Sequence, residues 1–389
     1  MIDLHNLIGK CQDEETRAWL KADAKNLLLA ELFLAELLTR KGGKRKTHDT
    51  QAFEADLMEN LVNLRDALWN LEYKPSRSTA HIINKPVKRE IFAAPYRDRV
   101  VHRFVVDSII DWWEKRLIYD SYSCRVGKGT DFGIERLRHH VRKVSKGFTR
   151  PAYVIKMDIS GYFMHIKRDI LYERVIWGLD RQFSNIGYDD RRYKILKHAI
   201  REIIMDDPIK GVKINGSYEN WRDLPEDKSL FCQPPGQGMV IGNFTSQTFS
   251  NIYLDMLDRF VTLTLGYKHY GRYVDDFFVV VAKEELSQAK KDVREIETFL
   301  EGLGLKLNLK KTRVLLASQG VPFLGKVVKN DILMPDKRCV KNFRSAMRDV
   351  VSGARGVESV ASYLGLMCHC DSRKVCLKVF DEVGLEYVP

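Results

Sequence analysis

The sequence predicts an α+β fold, in which strands and helices alternate between helical ends of the chain. The segments "YVIKMDISGYFMHI" (153–166) and "GRYVDDFFVVVA" (271–282) are rich in β-branched and aromatic residues, which predicts strands. Between them, "TSQTFSNIYLDMLDRFVTLTL" (245–265) repeats apolar residues at helical spacing. A Lys/Glu-rich helical segment and the short strands "LKLNLKKTRVLL" and "VPFLGKVV" complete the alternation.

The two ends of the chain are predicted to be helical. Residues 1–75 contain "RAWLKADAKNLLLAELFLAELLTR", with apolar residues three and four positions apart. From residue 78 the chain resembles a hairpin and becomes a helix after Pro95, where Asp98 favours the helix N-terminus. Residues 189–205 also show a helical pattern, and the last sixty residues are basic and mostly helical.

The net charge and the cysteine content limit which classes of protein the chain can belong to. The 389 residues carry a formal charge of +12, which suits either a polyanionic partner such as nucleic acid or a solvated basic surface. The start of the chain lacks the apolar core of a signal peptide, and no apolar run is long enough to span a bilayer. Seven irregularly spaced cysteines indicate reduced thiols, so we expect a soluble cytoplasmic protein without a membrane partner.

A cluster of metal-ligating residue types lies near the C-terminus. It comprises Cys368, His369, Cys370 and Cys376 in "CHCDSRKVC". The cluster lacks the paired C-x-x-C elements typical of structural zinc sites, so zinc is the weaker interpretation.

Two adjacent aspartates, Asp275 and Asp276, interrupt an apolar strand segment where a core strand should carry none. Burying even one unpaired carboxylate costs several kcal/mol. Mg²⁺ offsets that cost because ionised oxygens are the ligands it prefers. Asp158 ends the other apolar strand segment, so we expect it beside Asp275 at a hairpin tip. Two Mg²⁺ ions about 3.5–4 Å apart, with Mn²⁺ as a substitute, would then support phosphoryl transfer.

Two other acid pairs show how specific this signal is. Asp189 and Asp190 in "GYDDRRYKIL" precede a helix, whose N-terminus their charge favours. Asp207 in "IMDDPIK" precedes a proline. Neither pair lies within an apolar strand, so both are interpreted as structural.

The motifs of the chain resemble those of reverse transcriptases. "YVDD" on a hairpin, "MDISGYF" upstream of it and the Gly/Ser loop-helix between them resemble motifs C, A and B. "PYRDRVVHRFV" and "SYSCRVGKGTDFGIERL" resemble the fingers blocks of group II intron-type enzymes. "LNLKKT" resembles motif D, and "VPFLGKVV" resembles the primer-grip region. The resemblance covers roughly residues 80–330 and implies an RNA-directed DNA polymerase.

The resemblance also implies a right-hand polymerase fold with an antiparallel palm sheet. The implied domains are a helical N-terminal extension (1–75), fingers (76–150), a palm (151–330) with an insertion or return to the fingers near 180–240, and a helical thumb (331–389).

The resemblance assigns roles to individual residues. Asp158, Asp275 and Asp276 fall on the family's metal-binding aspartates, and the backbone carbonyl of Ile159 is a further metal ligand. Phe163 falls on the steric gate, a large ring that excludes a ribose 2′-hydroxyl. The implied substrates are therefore deoxynucleoside triphosphates (dNTPs).

Basic residues are assigned to the triphosphate. Lys311 falls on a motif D lysine that protonates the pyrophosphate leaving group, although an ordinary surface lysine is an equal interpretation. The basic residues that match a grip on the triphosphate are Lys85, Arg89, Arg125 and Lys128.

Motif B departs from the usual Q-G-x-x-x-S-P pattern. In "IGNFTSQ" (241–247), Ile241 replaces the glutamine, Gly242 is retained and Gln247 replaces the proline. This form is similar to that of the reverse transcriptases of diversity-generating retroelements. Those enzymes copy a template-repeat RNA into cDNA that is mutated at adenines and then rewrites a variable protein gene. Because Ile241 cannot hydrogen-bond an incoming nucleotide, we expect it to contribute to low fidelity opposite adenine.

The retroelement resemblance implies partners and a source. The implied partners are template-repeat RNA, the cDNA/RNA hybrid and the accessory variability determinant protein, a small basic helical oligomer. The implied origin is bacterial or phage-encoded.

Three alternatives remain open at the level of sequence. A retron-like, group II-like or antiphage-defence reverse transcriptase would share the chemistry, although "IGNFTSQ" argues against it. An RNA-binding scaffold with a spent palm would not need an intact set of three aspartates. A nucleotide cyclase would use similar acids without the ordered motifs.

Overall fold

A computed structural model describes residues 14–40, 47–84, 87–187 and 190–387. The helices are α1 (Glu14–Arg40), α2 (His48–Ala55), α3 (Leu57–Trp69), α4 (Tyr96–Glu114), α5 (Thr130–Val144), α6 (Tyr162–His165), α7 (Arg168–Gln182), α8 (Arg191–Met205), α9 (Phe244–Arg259), α10 (Leu286–Gly302), α11 (Lys337–Val351), α12 (Glu358–Met367) and α13 (Arg373–Asp381). The strands are β1 (Thr79–Ile83), β2 (Arg89–Ala93), β3 (Ala152–Ser160), β4 (Lys213–Ile214), β5 (Tyr270–Tyr273), β6 (Asp276–Ala282), β7 (Lys306–Leu307), β8 (Arg313–Leu316), β9 (Val321–Phe323), β10 (Lys326–Lys329) and β11 (Ile332–Pro335).

The chain forms two compact units, each assembled from three separated segments. The first unit comprises Met1–Ile118, Ser160–Leu257 and Phe299–Lys306, and the second comprises Tyr119–Ile159, Asp258–Thr298 and Leu307–Pro389. The boundaries of fingers, palm and thumb stay a prediction.

The first unit is mainly helical and contains a small sheet in the order β2-β1-β4. Strands β1 and β2 are antiparallel, with Thr79 opposite Ala93, whereas β4 runs parallel to β1. Phe92 of β2 forms a buried apolar cluster with Met164 and Leu230. In α1, apolar residues at helical spacing such as Leu28 and Leu32 are buried, as the periodicity predicts.

The second unit is built around the strands that carry the aspartates. The sheet has the order β5-β6-β3-β7, and β8 also pairs with β3. The β3–β6, β3–β8 and β5–β6 pairs are antiparallel. Residues 277–281 of β6 are buried, which matches their continuous apolar sequence. The α+β expectation with an antiparallel sheet and helical ends is confirmed.

The rest of the second unit covers this sheet and adds a helical end. The β9–β11 sheet and α5 share an apolar core with the main sheet, in which Phe278 packs edge-on against Phe323. Helices α11–α13 enclose a separate cluster around Phe343, Met347 and Cys376. Among the helices of the described segments, none is both long and apolar enough to cross a membrane.

One close helix contact in the first unit requires a glycine. A Cβ atom added at Gly178 of α7 would lie 2.4 Å from Cζ2 of Trp113 in α4. We expect Gly178→Ala to lower the free energy of unfolding by about 1–3 kcal/mol, because the indole has to move out of a packed site. Chemical denaturation measures the change.

The matched control is Gly365→Ala, at an exposed position inside α12 where an added Cβ meets nothing within 4 Å. This substitution is expected to raise the free energy of unfolding by about 0.5–1 kcal/mol. Equal stability of both variants would contradict the close approach of α7 and α4.

Candidate active site

A two-residue turn joins β5 to β6 and carries the first of the paired aspartates. Tyr273 and Asp276 pair across the ladder, so Val274 and Asp275 form the turn between them. Val274 has a φ of +55°, and a positive φ at only the first central residue is the pattern of a type II′ turn. Glycine is the usual residue there, so a β-branched valine is strained.

Strand β3 brings Asp158 to this turn. In the antiparallel β3–β6 ladder Asp158 lies directly opposite Asp276. The backbone N–H of Ile159 donates a hydrogen bond to the carbonyl oxygen of Asp275 at 3.1 Å. The three aspartates, which are far apart in sequence, therefore lie at one edge of one sheet.

Two lysines neutralise part of this negative charge. The ammonium nitrogen of Lys156 lies 2.9 Å from Oδ2 of Asp276, and that of Lys311 lies 2.9 Å from Oδ2 of Asp158. Asn308 donates from its side chain to the same Oδ2 at 3.3 Å and from its backbone to the carbonyl oxygen of Asp158. Lys311 is 63% exposed, so it is free to change partners.

The acids perturb one another's ionisation. Burial and, next, the charge of Asp158 raise the pKa of Asp275 to about 6. The pKa of Asp276 is also raised, chiefly by burial, and the Lys156 ammonium partly opposes this shift. The hydrogen bond to Asp158 raises the pKa of Lys311 further above neutral, so this lysine is protonated at neutral pH.

The donor atoms suit a hard divalent cation. Oδ1 of Asp276 is buried and accepts no hydrogen bond from the described residues, which leaves a carboxylate oxygen available for an ion. As the side chains stand, no three His, Cys, Asp or Glu groups within the described ranges converge to hold a metal ion. Lysines hold Oδ2 of Asp158 and of Asp276 instead. In the cysteine cluster, Cys376 is buried with Phe343 whereas Cys368 is exposed.

The other basic residues predicted in the second unit are partly engaged. Arg125 is largely buried, and its Nη1 donates to the carbonyl oxygen of Ser121 at 3.1 Å. Lys128 donates to the carbonyl oxygen of Tyr119 and lies over the Tyr119 ring. Their roles at a triphosphate stay predictions.

The remaining predicted residues belong to the first unit. Phe163 and Ile241 are half-buried and pack on the same apolar cluster around Phe92. Gly242 has a φ of +127°, and a Cβ there would lie 2.7 Å from the carbonyl oxygen of Phe92, so only glycine fits without strain. Gln247 in α9 and Arg89 at the start of β2 are exposed, and Lys85 lies outside the described residues.

Sequence reasoning missed Lys156 and Asn308. Lys156 precedes Asp158 by two residues, so strand periodicity places both side chains on one face. That spacing was a usable signal, whereas the contact of Asn308 depends on how the β7–β8 segment returns to β3.

The raised pKa of Asp275 makes the stability of the protein depend on pH. The pKa in the folded protein is about 6, above the ordinary value of 3.8, so the neutral form favours folding. This contribution is fully present below about pH 4 and is lost as the pH rises through 6. Without divalent cations, Asp275→Asn should therefore unfold at a higher denaturant concentration than the wild type at pH 7. The expected difference, up to about 3 kcal/mol, should vanish near pH 4.

Asp207→Asn, at an exposed carboxyl of one of the structural acid pairs, is the control and should show little difference at either pH. Parallel stability curves for wild type and Asp275→Asn between pH 4 and 7 would contradict the raised pKa.

The chain is similar to a bacterial protein and to two solved telomerase structures. Protein YkfC of Escherichia coli (strain K12) is 24% identical over 309 residues, which cover 70% of this chain and 72% of YkfC. A telomerase from Candida albicans, solved in complex with a TWJ fragment of telomeric RNA, is 14% identical with a TM-score of 0.48 and covers 80% of this chain. The apo telomerase of Candida tropicalis, truncated from its C-terminal domain, is also 14% identical, has a TM-score of 0.48 and covers 67% of this chain. This chain spans 55% of either telomerase chain.

The model of the reverse transcriptase (RNA-dependent DNA polymerase) family matches residues 83–328. This range contains both strands of the aspartate site, the turn between β5 and β6, and Lys311. Because the match extends over more than half of the 389 residues, the chain belongs to the reverse transcriptase family of RNA-dependent DNA polymerases.

Proposed function

We propose that this RNA-directed DNA polymerase serves a diversity-generating retroelement and copies a template-repeat RNA into cDNA mutated at adenines. The observation that carries the proposal is Ile241, which stands where motif B usually has a glutamine. Gln247 in place of the usual proline supports the same subclass.

The surroundings of Ile241 support a role in low fidelity. Its side chain packs on the apolar cluster that contains Phe92 and Met164, beside Phe163. Its backbone carbonyl accepts a hydrogen bond from the N–H of Phe92 at 2.9 Å, which fixes the loop on β2. A side chain without polar atoms gives an incoming nucleotide shape and apolar contact alone. A wrong nucleotide then leaves no polar side chain unpaired at position 241, so the enzyme loses the large free-energy penalty that would reject this nucleotide.

The chemistry we assign is attack of a primer 3′-hydroxyl on the α-phosphate of a dNTP. Reverse transcriptases use divalent metal ions, and we assign Mg²⁺, held by Asp158, Asp275, Asp276 and the carbonyl of Ile159. Bound Mg²⁺ would lower the pKa of the hydroxyl and neutralise charge on the triphosphate. Lys311 is exposed and protonated, so it would be able to donate a proton to pyrophosphate within its reach.

The other assignments concern substrate and partners. Phe163 would exclude a ribose 2′-hydroxyl, and the triphosphate would be held by Lys85, Arg89, Arg125 and Lys128. The net charge of +12 suits the cDNA/RNA hybrid, so binding should weaken steeply with salt. The accessory variability determinant protein is the expected protein partner.

Asp275→Asn should abolish primer extension on an RNA template. A metal ion contributes several kcal/mol to phosphoryl transfer, which corresponds to a loss of about 10³-fold or more in kcat. Extension of a labelled primer with Mg²⁺ and dNTPs measures the loss, with Asp207→Asn as the control that keeps wild-type activity. Retained synthesis by Asp275→Asn would remove the proposed metal site.

Ile241→Gln should reduce misincorporation opposite template adenine. One polar contact contributes about 1–3 kcal/mol, so the expected reduction is about 5- to 150-fold. The measurement is sequencing of cDNA made on an adenine-containing RNA, with and without the accessory protein.

Ile241→Leu keeps an apolar side chain and is the matched control, for which the error spectrum should not change. An unchanged spectrum in Ile241→Gln would exclude Ile241 from the mechanism. Wild-type cDNA without excess errors at adenine, in the presence of the accessory protein, would favour a retron-like, group II-like or defence enzyme instead.

A further inference from the structure

A buried arginine lies three residues before Asp275. The side chains of Arg272 in β5 and of Asp258 near the end of α9 are both 0% exposed. Nε and Nη2 of Arg272 donate to Oδ1 and Oδ2 of Asp258, each at 2.7 Å. The Tyr270 hydroxyl also donates to Oδ1 of Asp258 at 2.6 Å. This bidentate pair is rigid, because the planar guanidinium matches both carboxylate oxygens.

The same guanidinium reaches the turn that carries Asp275. Nη1 of Arg272 donates to the carbonyl oxygen of Val274 at 3.2 Å, and Nη2 donates to the Ser121 hydroxyl at 3.2 Å. The backbone of Arg272 also exchanges hydrogen bonds of 2.9 Å with Asp120 and Tyr122. Arg272 therefore joins Asp258, the segment 120–122 and the turn, all of which belong to the second unit.

The turn requires such support. Val274 holds a positive φ that a β-branched residue rarely adopts, and such strain persists only where the surroundings fix the backbone. Both central peptide groups of the turn are held by hydrogen bonds. Arg272 binds the carbonyl oxygen of Val274, and Ile159 binds that of Asp275.

We infer that Arg272 is a positioning residue of the polymerase, which holds the strained Val274 peptide and thereby directs the Asp275 carboxylate towards Asp158. This inference rests on the proposed use of Asp275 as a metal ligand. Residues that orient metal ligands typically change metal affinity or activity by about 10- to 100-fold when they are substituted.

The test is Arg272→Lys, which keeps the charge but loses the fork that reaches Asp258 and Val274 together. In primer extension by the full-length protein, kcat should fall about 10- to 100-fold, and the Mg²⁺ concentration for half-maximal activity should rise. The KM for dNTP at saturating Mg²⁺ should change less than threefold. In the absence of substrate, the increase in Tm on adding Mg²⁺ should also shrink.

Arg174→Lys is the matched control. Arg174 pairs with Asp255, which is also 0% exposed and lies one turn before Asp258 on α9. Arg174 also lies over the rings of Trp113 and Trp177, which lie outside the turn. Arg174→Lys should lower Tm without changing the Mg²⁺ requirement. Equal Mg²⁺ requirements in the two variants would overturn the inference.

A second-site variant separates positioning from general stability. Glycine at position 274 adopts a positive φ without strain. Adding Val274→Gly to Arg272→Lys should therefore raise kcat at least threefold above that of Arg272→Lys alone. If the kcat changes of the two single variants simply multiply in the double variant, Arg272 does not act through Val274, and the inference is overturned. If Arg272→Lys does not fold, Ser121→Ala, which removes one acceptor of Nη2, should raise the Mg²⁺ requirement, and an unchanged requirement would overturn the inference.

The outcomes also distinguish this inference from the proposed function. Wild-type protein without Mg²⁺-dependent synthesis would remove the proposed function. Active wild type with an equally active Arg272→Lys would remove the positioning role alone.

Discussion

The concentration of negative charge at one edge of the second unit's sheet is the constraint on which the site depends. Asp158 and Asp276 face each other across the β3–β6 ladder, and Asp275 lies in the turn just before β6. Burial, and after it the repulsion between like charges, raises the pKa of Asp275 and of Asp276. Lys156 and Lys311 compensate for part of it, one from within β3 and one from an exposed loop.

The two lysines differ in what they permit. Lys156 belongs to β3 and reaches Asp276 on the same face of the sheet, and its side chain is only 23% exposed. Lys311 is mostly exposed and reaches Asp158 from the β7–β8 segment, so an arriving cation can displace it. If the aspartates bind an ion as proposed, Asp276 would offer Oδ1 while Lys156 stays on Oδ2, and Asp158 would offer Oδ2 once Lys311 leaves it.

Local patterns predicted the elements of the structure better than its contacts. The strands that carry Asp158 and Asp276 and the helix α9 between them were evident from apolar spacing, because burial on one or both faces fixes that spacing. The pattern of "GRYV" does not reveal that Arg272 is buried, since its partners Asp258 and Ser121 come from an earlier helix and a distant segment. The assembly of each unit from three segments likewise depends on long-range packing.

Three destabilising features of the second unit lie close together in the chain. A strained valine, an acid with a raised pKa and a carboxylate oxygen that finds no hydrogen-bond partner in the described part of the chain each cost folding free energy, and all three lie within the residues 274–276. A fold tolerates such a cost where surrounding contacts are strong, and here the buried Arg272–Asp258 pair and the apolar core of β6 supply them. A cation bound by the acids would remove the electrostatic part of the cost and leave the backbone strain. The strained turn is therefore set by the protein itself, whether or not an ion is bound.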